Sequence, residues 1–106
     1  MRASPAATLV RPVIFSPAAR AEMHDAVAWY ESRSPVLAKR FVTEVDATVA
    51  RIRDNAAQFP VVLRDVRRAR LGRFPYGLFF RVDAETVRVI ACFHASRNPR
   101  RWHRRG

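Results

Sequence analysis

The fold is decided by the stretch Tyr76-Gly-Leu-Phe-Phe-Arg-Val-Asp-Ala-Glu-Thr-Val-Arg-Val-Ile-Ala-Cys-Phe93. Two apolar segments flank a short polar turn at residues 83–86, a pattern typical of a β-hairpin. Alternation groups the side chains of the first strand into two faces, with Tyr76, Leu78, Phe80 and Val82 on one and Phe79 and Arg81 on the other. In the second strand it places Val87, Val89, Ala91 and Phe93 on one face and Arg88, Ile90, Cys92 and His94 on the other.

Strand and helix signals precede this hairpin. The residues from Val62 to Leu71 predict one further strand with a face or an edge in solvent, because arginine stands where a core strand would carry aliphatic residues. Residues 12–15 predict a short first strand. Ser16-Pro17 and Ser34-Pro35 each resemble a helix start, with serine as N-cap and proline at the first helical position.

Both predicted helices carry one apolar stripe. In the first helix it is formed by Ala19, Met23, Ala26, Val27 and Tyr30, and in the second by Leu37, Phe41, Val45, Val49 and Ile52. Only three residues join the helices, which must therefore fold back as a hairpin. The sequence predicts a two-layer α+β domain of order β-α-α-β-β-β, with the helical hairpin packed on one face of a small, mainly antiparallel sheet.

Size and composition indicate one domain. The chain has 106 residues, 49% of them hydrophobic, which is enough for a single two-layer core. We expect a flexible leader at residues 1–11 and one domain at residues 12–106. No stretch resembles a signal peptide or a transmembrane span, so we expect a cytoplasmic protein with no membrane contact. Cys92 is the one cysteine, and its apolar neighbours predict a buried strand residue.

The positive charge lies in the second half of the chain. The formal net charge is +11, yet residues 17–56 hold six basic and six acidic side chains. Residues 57–106 hold twelve arginines against three acidic residues. Such asymmetry points to nucleic acid, an acidic protein partner or an anionic surface. Arginine-rich composition on a solvated face is the alternative explanation.

The densest charge lies on the predicted second strand, residues 62–71, and in the turn that follows it. The arginines of this cluster are Arg64, Arg67, Arg68, Arg70 and Arg73. Arg81 could join part of this group across the sheet, since neighbouring strands lie about 4.8 Å apart. Guanidinium groups bind phosphate bidentately, so the cluster predicts an anion- or target-binding patch. A strand edge protected from aggregation by charge is the alternative.

The C-terminal segment adds one residue that can transfer a proton. His94 ends the last strand and Arg97 follows it, an arrangement that could support acid–base chemistry, although a structural histidine is the alternative. We expect Trp102 to pack back onto the domain. No spacing of histidine, cysteine or acidic residues indicates a metal site, and no motif indicates a cofactor.

Five segments form one recognisable pattern by their order and spacing. They are Phe15-Ser-Pro-Ala-Ala19, Trp29-Tyr-Glu31, Val66-Arg-Arg-Ala-Arg-Leu71, Phe74-Pro-Tyr-Gly-Leu-Phe-Phe-Arg-Val82, and His94-Ala-Ser-Arg97 with Pro99 and Trp102. In these segments the sequence resembles the RelE/ParE family of toxins from type II toxin–antitoxin systems, and the resemblance covers residues 13–102, nearly the whole chain.

The resemblance implies a bacterial growth inhibitor in a hetero-oligomer with a cognate antitoxin. It leaves two targets open, since RelE-like members cut mRNA on the ribosome and ParE-like members poison DNA gyrase. Arg68, Arg81 and Arg97 match basic positions of the family, but no tyrosine follows His94. The hypothesis favoured here is a ParE-like gyrase inhibitor. The alternatives are a RelE-like endoribonuclease using His94, Arg81 and Arg97, or a non-toxic relative that binds an antitoxin or nucleic acid.

Overall fold

Two serine–proline pairs start the two helices. The structure, a computed structural model, describes residues 11–96. Helix α1 spans Pro17–Arg33 and helix α2 spans Pro35–Asp54. The hydroxyls of Ser16 and Ser34 accept hydrogen bonds from the third backbone N–H beyond them, at 3.1 and 3.4 Å. Ser34 also ends α1, because its own N–H donates to a carbonyl of the last turn. The predicted helical hairpin is therefore confirmed.

A five-stranded sheet forms the second layer. Its strands are β1 (Val13–Phe15), β2 (Val61–Leu63), β3 (Val66–Arg70), β4 (Tyr76–Val82) and β5 (Val87–His94). They lie in the order β1-β5-β4-β3-β2, and every pair is antiparallel except the parallel pair β1–β5. A short 3-10 turn at Ala56–Gln58 connects α2 to β2. This is the predicted α+β class, with one more strand than expected.

The extra strand is a correction to the predicted segment 62–71. That segment is not one strand but a hairpin, in which Leu63 lies opposite Val66. The chain reverses at Arg64 and Asp65, and Arg64 takes a positive φ of 53°. Arginine rarely adopts this conformation, so an arginine at this position does not predict a turn.

A β-bulge corrects the predicted faces of the last strand. The pairing of β4 with β5 shifts between Phe79 and Phe80, so that Phe79 lies opposite Ala91 and Phe80 opposite Val89. The extra residue, Ile90, reverses the alternation beyond it. Ala91 therefore lies with Ile90 on the face away from the helices, whereas Cys92 packs toward them. The prediction for β4 agrees with the structure.

The helices and the inner face of the sheet enclose the main core. At one end of it, aromatic rings of both helices meet those of the β3–β4 loop and β4, with centroids 5.1–6.2 Å apart. These rings belong to Tyr30, Phe41, Phe74 and Tyr76. Burial raises the pKa of the Tyr30 phenol. Leu37 departs from the predicted stripe of α2: it is exposed, and Ala38 is buried instead.

A second apolar cluster lies on the outer face of the sheet, away from the helices. Val66, Ile90, Ala91 and Phe93 are buried there, with Leu63 and Phe79 packed against them. Within residues 11–96, no helix is long and apolar enough to cross a membrane.

Candidate functional site: arginines on the sheet and a histidine pocket

The outer face of the sheet carries four arginines. Arg68 and Arg70 flank the inward-facing Ala69 on β3, and Arg81 lies directly opposite Arg88 in the β4–β5 pair. Side chains of directly paired residues project from the same face, so all four guanidinium groups share the surface away from the helices. Arg70 and Arg88 are exposed, whereas Arg68 and Arg81 are half-buried.

Arg81 is held by an acidic residue of the chain itself. Its Nε and Nη2 atoms donate to both oxygens of Asp65 in the β2–β3 turn, at 2.9–3.2 Å. This hydrogen-bonded pair lowers the pKa of the Asp65 carboxyl below its ordinary value. The anion expected among the clustered arginines is thus present as Asp65, and an incoming phosphate must compete with it for Arg81.

The stem of Arg68 packs closely over Gly77. A Cβ atom at Gly77 would lie 3.3 Å from Cγ and 3.6 Å from Cδ of Arg68, so the glycine leaves room for the arginine stem. The Nε atom of Arg68 is buried, and no hydrogen-bond partner is found for it in the described part of the chain. A buried, unpaired guanidinium N–H is costly in a folded protein. Among the four outer-face arginines, Arg68 is therefore the one for which a hydrogen-bond acceptor from a binding partner would bring the clearest gain.

The remaining arginines of the predicted cluster are dispersed. Arg67 points to the helix side, where its guanidinium donates to the carbonyls of Phe59 at 2.6 Å and Ala57 at 3.4 Å. It ties the 3-10 turn to β3. Arg64 lies in the β2–β3 turn and Arg73 in the loop at the other end of β3, both exposed. The structure therefore brings only Arg68 and Arg70 of the five onto one face.

His94 lies in a separate pocket on the helix side. Its ring packs edge-on to Tyr76, with centroids 5.3 Å apart, and Tyr76 lies directly opposite it in the sheet. Nδ1 accepts the backbone N–H of Ser96 at 3.2 Å and lies 2.9 Å from its hydroxyl. In the neutral ring the proton is therefore on Nε2.

The pocket around His94 has a volume of about 530 Å³ and lies between α1 and the end of β5. Glu22 and Asp25 supply carboxylates, and Trp29 and Tyr76 supply aromatic walls. The Glu22 carboxylate accepts the backbone N–H of Cys92 at 3.0 Å, at the edge of β5 that β1 is too short to cover. Glu22 was missed from the sequence, because its helix position gives no sign of this contact. Tyr76 could have been found by pairing the two predicted strands.

Arg81 and His94 do not come together. Arg81 is opposite Arg88 on the outer face, whereas His94 ends β5 on the helix face. Six residues of extended strand separate positions 88 and 94, or about 20 Å at the usual rise. Arg97, the third residue predicted with them, lies outside the described residues. The described part of the site therefore holds its proton-transfer group apart from its charge-stabilising groups.

A largely apolar groove runs between the first half of α2 and the β3–β4 loop. Its volume is about 890 Å³, and Val36, Leu37 and Phe74 contribute to its lining. Lys39, Arg40 and Arg73 stand beside them. The helical pattern of α2 did not predict this groove, because it placed Leu37 in the core stripe.

No metal centre is evident among residues 11–96, where no three histidine, cysteine or acidic side chains are grouped so as to hold an ion.

Comparison with known proteins identifies relatives of this chain. The family model described as the ParE toxin of the type II toxin–antitoxin system parDE matches residues 13–99. The fold is similar to the solved structure titled "Chromosomal ParDE TA system from P. aeruginosa", with a TM-score of 0.70 and 20% sequence identity. That match covers 80% of this chain and 96% of the other. No curated protein matches the sequence.

Proposed function

The chain belongs to the ParE family of toxins of type II toxin–antitoxin systems, and we propose that it arrests bacterial growth by inhibiting DNA gyrase. A cognate antitoxin neutralises it in a toxin–antitoxin hetero-oligomer. The toxin acts in the cytoplasm, and residues 12–106 form its single domain behind a leader at residues 1–11. The observation that carries this proposal is the family match, which runs from β1 to beyond β5.

The placement of His94 supports gyrase over RNA as the target. Cleavage of an RNA phosphodiester requires a base, an acid and stabilisation of the developing charge at one phosphate. Arg68 and Arg81 stand on the outer face, whereas His94 lies on the helix face, about 20 Å along the strand from Arg81. A single phosphate cannot contact Arg81 and His94 across that distance, and the sheet itself lies between Arg68 and His94. An inhibitor that only binds its target does not need these groups to converge.

Two assays with the purified toxin distinguish the targets. In the first, plasmid supercoiling by purified gyrase is expected to stop when the toxin is added. In the second, a translating extract is expected to keep its mRNA intact. Message cut only in the presence of ribosomes would overturn the gyrase proposal and favour the RelE-like alternative.

The variants His94→Gln and Arg81→Gln make this test sharper. Glutamine at position 94 keeps hydrogen-bonding capacity but cannot act as an acid or base at neutral pH. A gyrase inhibitor is expected to retain supercoiling inhibition with glutamine at position 94. A nuclease would lose cleavage in one or both variants while remaining folded, which circular dichroism checks.

The apolar groove beside α2 is the surface that we propose for the antitoxin. Val36 and Leu37, both exposed, line this groove together with Phe74, and a contiguous apolar surface of this kind marks an interaction site. Lys39, Arg40 and Arg73 border the groove, so an amphipathic segment with acidic residues at its rim matches it in both polarity and charge. An extended part of the antitoxin could also pair with β2, an edge strand whose Val61 and Val62 are exposed.

Two matched substitutions on α2 test this surface. Val36→Asp places a negative charge in the groove, and Val42→Asp places one on the same helix outside it, at a side chain that is 43% exposed. With the antitoxin encoded in the neighbouring gene, Val36→Asp is expected to weaken binding at least about tenfold, and Val42→Asp to leave it nearly unchanged. Equal losses in the two variants would contradict the proposed docking surface, while leaving the gyrase assay unaffected.

A further inference from the structure

A cavity of about 490 Å³ lies where the C-terminal end of α2 approaches the sheet. The end of β4, the start of β5 and the 3-10 turn after α2 form its other walls. Three arginines from separate segments line it, namely Arg11 before β1, Arg53 in the last turn of α2 and Arg67 on β3. Asp54 is the one acidic residue among its described lining residues, so the lining has a formal charge of +2.

Backbone carbonyls hold two of these guanidinium groups without occupying all of their donors. Nε of Arg11 donates to the Asp83 carbonyl at 2.8 Å, which fixes this arginine at the β4–β5 turn. Nη1 of Arg67 donates to the carbonyls of Phe59 at 2.6 Å and Ala57 at 3.4 Å. A guanidinium group has five N–H donors, and the remaining nitrogens of both groups make no hydrogen bond to any residue from 11 to 96. Each arginine therefore keeps N–H donors for a ligand.

The positive charge of the cavity is not neutralised from within the described chain. None of the three arginines forms an ion pair with a residue between 11 and 96, although Asp54 lines the same cavity. The carbonyls at the end of a helix carry partial negative charge and would disfavour an anion. Here the Gln58 amide donates to the carbonyls of Arg51 and Asn55, at 3.1 and 2.9 Å, which reduces that effect. A bound anion would relieve the repulsion among the guanidinium groups.

We propose that this cavity binds the phosphate group of a small phosphorylated molecule through Arg11, Arg53 and Arg67. Guanidinium groups bind phosphate oxygens bidentately and stay charged at every physiological pH. A phosphate monoester carries nearly two negative charges at neutral pH, which matches the charge of the lining. A carboxylate or a nucleic-acid phosphodiester carries one charge and matches it less well.

The size and remaining lining of the cavity suit a small ligand rather than a polymer. Small-molecule sites typically have volumes of about 300–1,000 Å³, a range that includes this cavity. Val82 and Ala57 supply apolar surface on which the rest of the ligand can pack. The cavity shares no lining residue with the groove beside α2, so the proposal is independent of the antitoxin surface and of the gyrase assay.

Titration of the isotope-labelled chain with phenyl phosphate, followed by NMR at neutral pH and constant ionic strength, tests the proposal. The backbone amides of residues 53–57, Val82 and Val87 are expected to shift. Arg53→Gln is expected to weaken binding at least about tenfold, because a charge-assisted contact is lost. Arg53 is exposed and forms no ion pair with a described residue, so this variant should fold normally. The matched control Arg20→Gln removes the same charge from an exposed position of α1 outside the cavity and should change the affinity less than about twofold.

Two further probes separate phosphate recognition from general attraction to a basic protein. Phenyl sulfate has nearly the same shape as phenyl phosphate but carries a single charge, so it is expected to bind more weakly. Equal affinity for the two esters, equal losses in Arg53→Gln and Arg20→Gln, or no shift of the cavity amides would overturn the proposal. A single-stranded oligonucleotide that binds at these amides more tightly per phosphate than phenyl phosphate would also overturn it, by assigning the arginines to a nucleic-acid surface.

Discussion

Substitution of Gly72 by alanine is expected to destabilise the domain by about 1 kcal/mol. Gly72 lies in the β3–β4 loop with φ of 58°, in the left-handed region. A residue with a Cβ atom loses about 1–2 kcal/mol there. Alanine also restricts the unfolded chain, which offsets about 0.4–1 kcal/mol of that loss. For a domain of this size, a net loss of about 1 kcal/mol lowers the melting temperature by roughly 4–8 °C.

A second effect at Gly72 has to be separated from the first. An added Cβ would lie 2.7–2.9 Å from the carboxylate group of Glu44, which must move away. The contacts that Glu44 makes with Thr48 at 3.5 Å and Arg51 at 3.9 Å are long, so moving its carboxylate costs little. We therefore expect backbone conformation to account for most of the loss.

Three variants measured by urea and thermal unfolding decide between the two effects. Gly72→Asn carries a larger side chain but tolerates the left-handed region better, so it should lose less stability than Gly72→Ala. Adding Glu44→Ala to Gly72→Ala should restore little. The reasoning is refuted if Gly72→Asn loses as much as Gly72→Ala and the Glu44→Ala substitution recovers most of the loss, because the collision would then dominate.

Three further predictions concern the core and its ionisable groups. Phe41→Ala should cost about 3–5 kcal/mol in urea unfolding, whereas Val42→Ala, at an exposed neighbour, should stay within about 0.5 kcal/mol. Burial raises the pKa of the Cys92 thiol to about 12, so a thiol reagent at pH 8 should label it far more slowly in the folded chain than in urea, and equal rates would contradict the burial. Because the folded chain holds this proton more tightly than the unfolded chain, the stability of the fold should decrease as pH rises from 9 toward 12. NMR titration should give the Asp65 carboxyl a pKa below its ordinary value, because Arg81 stabilises the ionised form, and Arg81→Gln should raise that pKa again. The ion pair stabilises the fold above about pH 3.8, and this stabilisation is lost as pH falls below that value. An unshifted Asp65 pKa in the parent chain would rule out the ion pair.

Local chemistry made the helices and the central hairpin predictable. Ser16-Pro17 and Ser34-Pro35 place a capping hydroxyl before a residue already fixed in helical φ, and both pairs start helices in the structure. The faces of β4 followed from alternation, since that strand itself keeps its regular pleat. In these segments the local preference and the final packing agree.

Tertiary contacts decided what the sequence could not predict. The β2–β3 turn contains no glycine or asparagine; its Asp65 is held by Arg81, sixteen residues away. The bulge at Ile90 depends on how β5 pairs with its neighbour, which periodicity within one strand cannot reveal. Five closely spaced arginines predicted a single patch, but Arg67 alternates to the inner face and bonds backbone carbonyls there. The number of arginines in a segment does not show which guanidinium groups already donate hydrogen bonds within the protein and which can still bind an anion.

The parallel pairing of β1 with β5 has a consequence for synthesis of the toxin in the cell. Val13 lies beside Val87 and Phe15 beside Val89, so the first strand acquires its neighbour only after the chain has been translated through residue 89. Contacts this distant in sequence form late and slow folding. We expect a ribosome-stalled nascent chain ending at Thr86 to be digested readily by protease, and one displaying β5 beyond the exit tunnel to resist it. Equal resistance would contradict this order. Until residues 87–89 have left the ribosome, β1 therefore has no neighbouring strand to pair with.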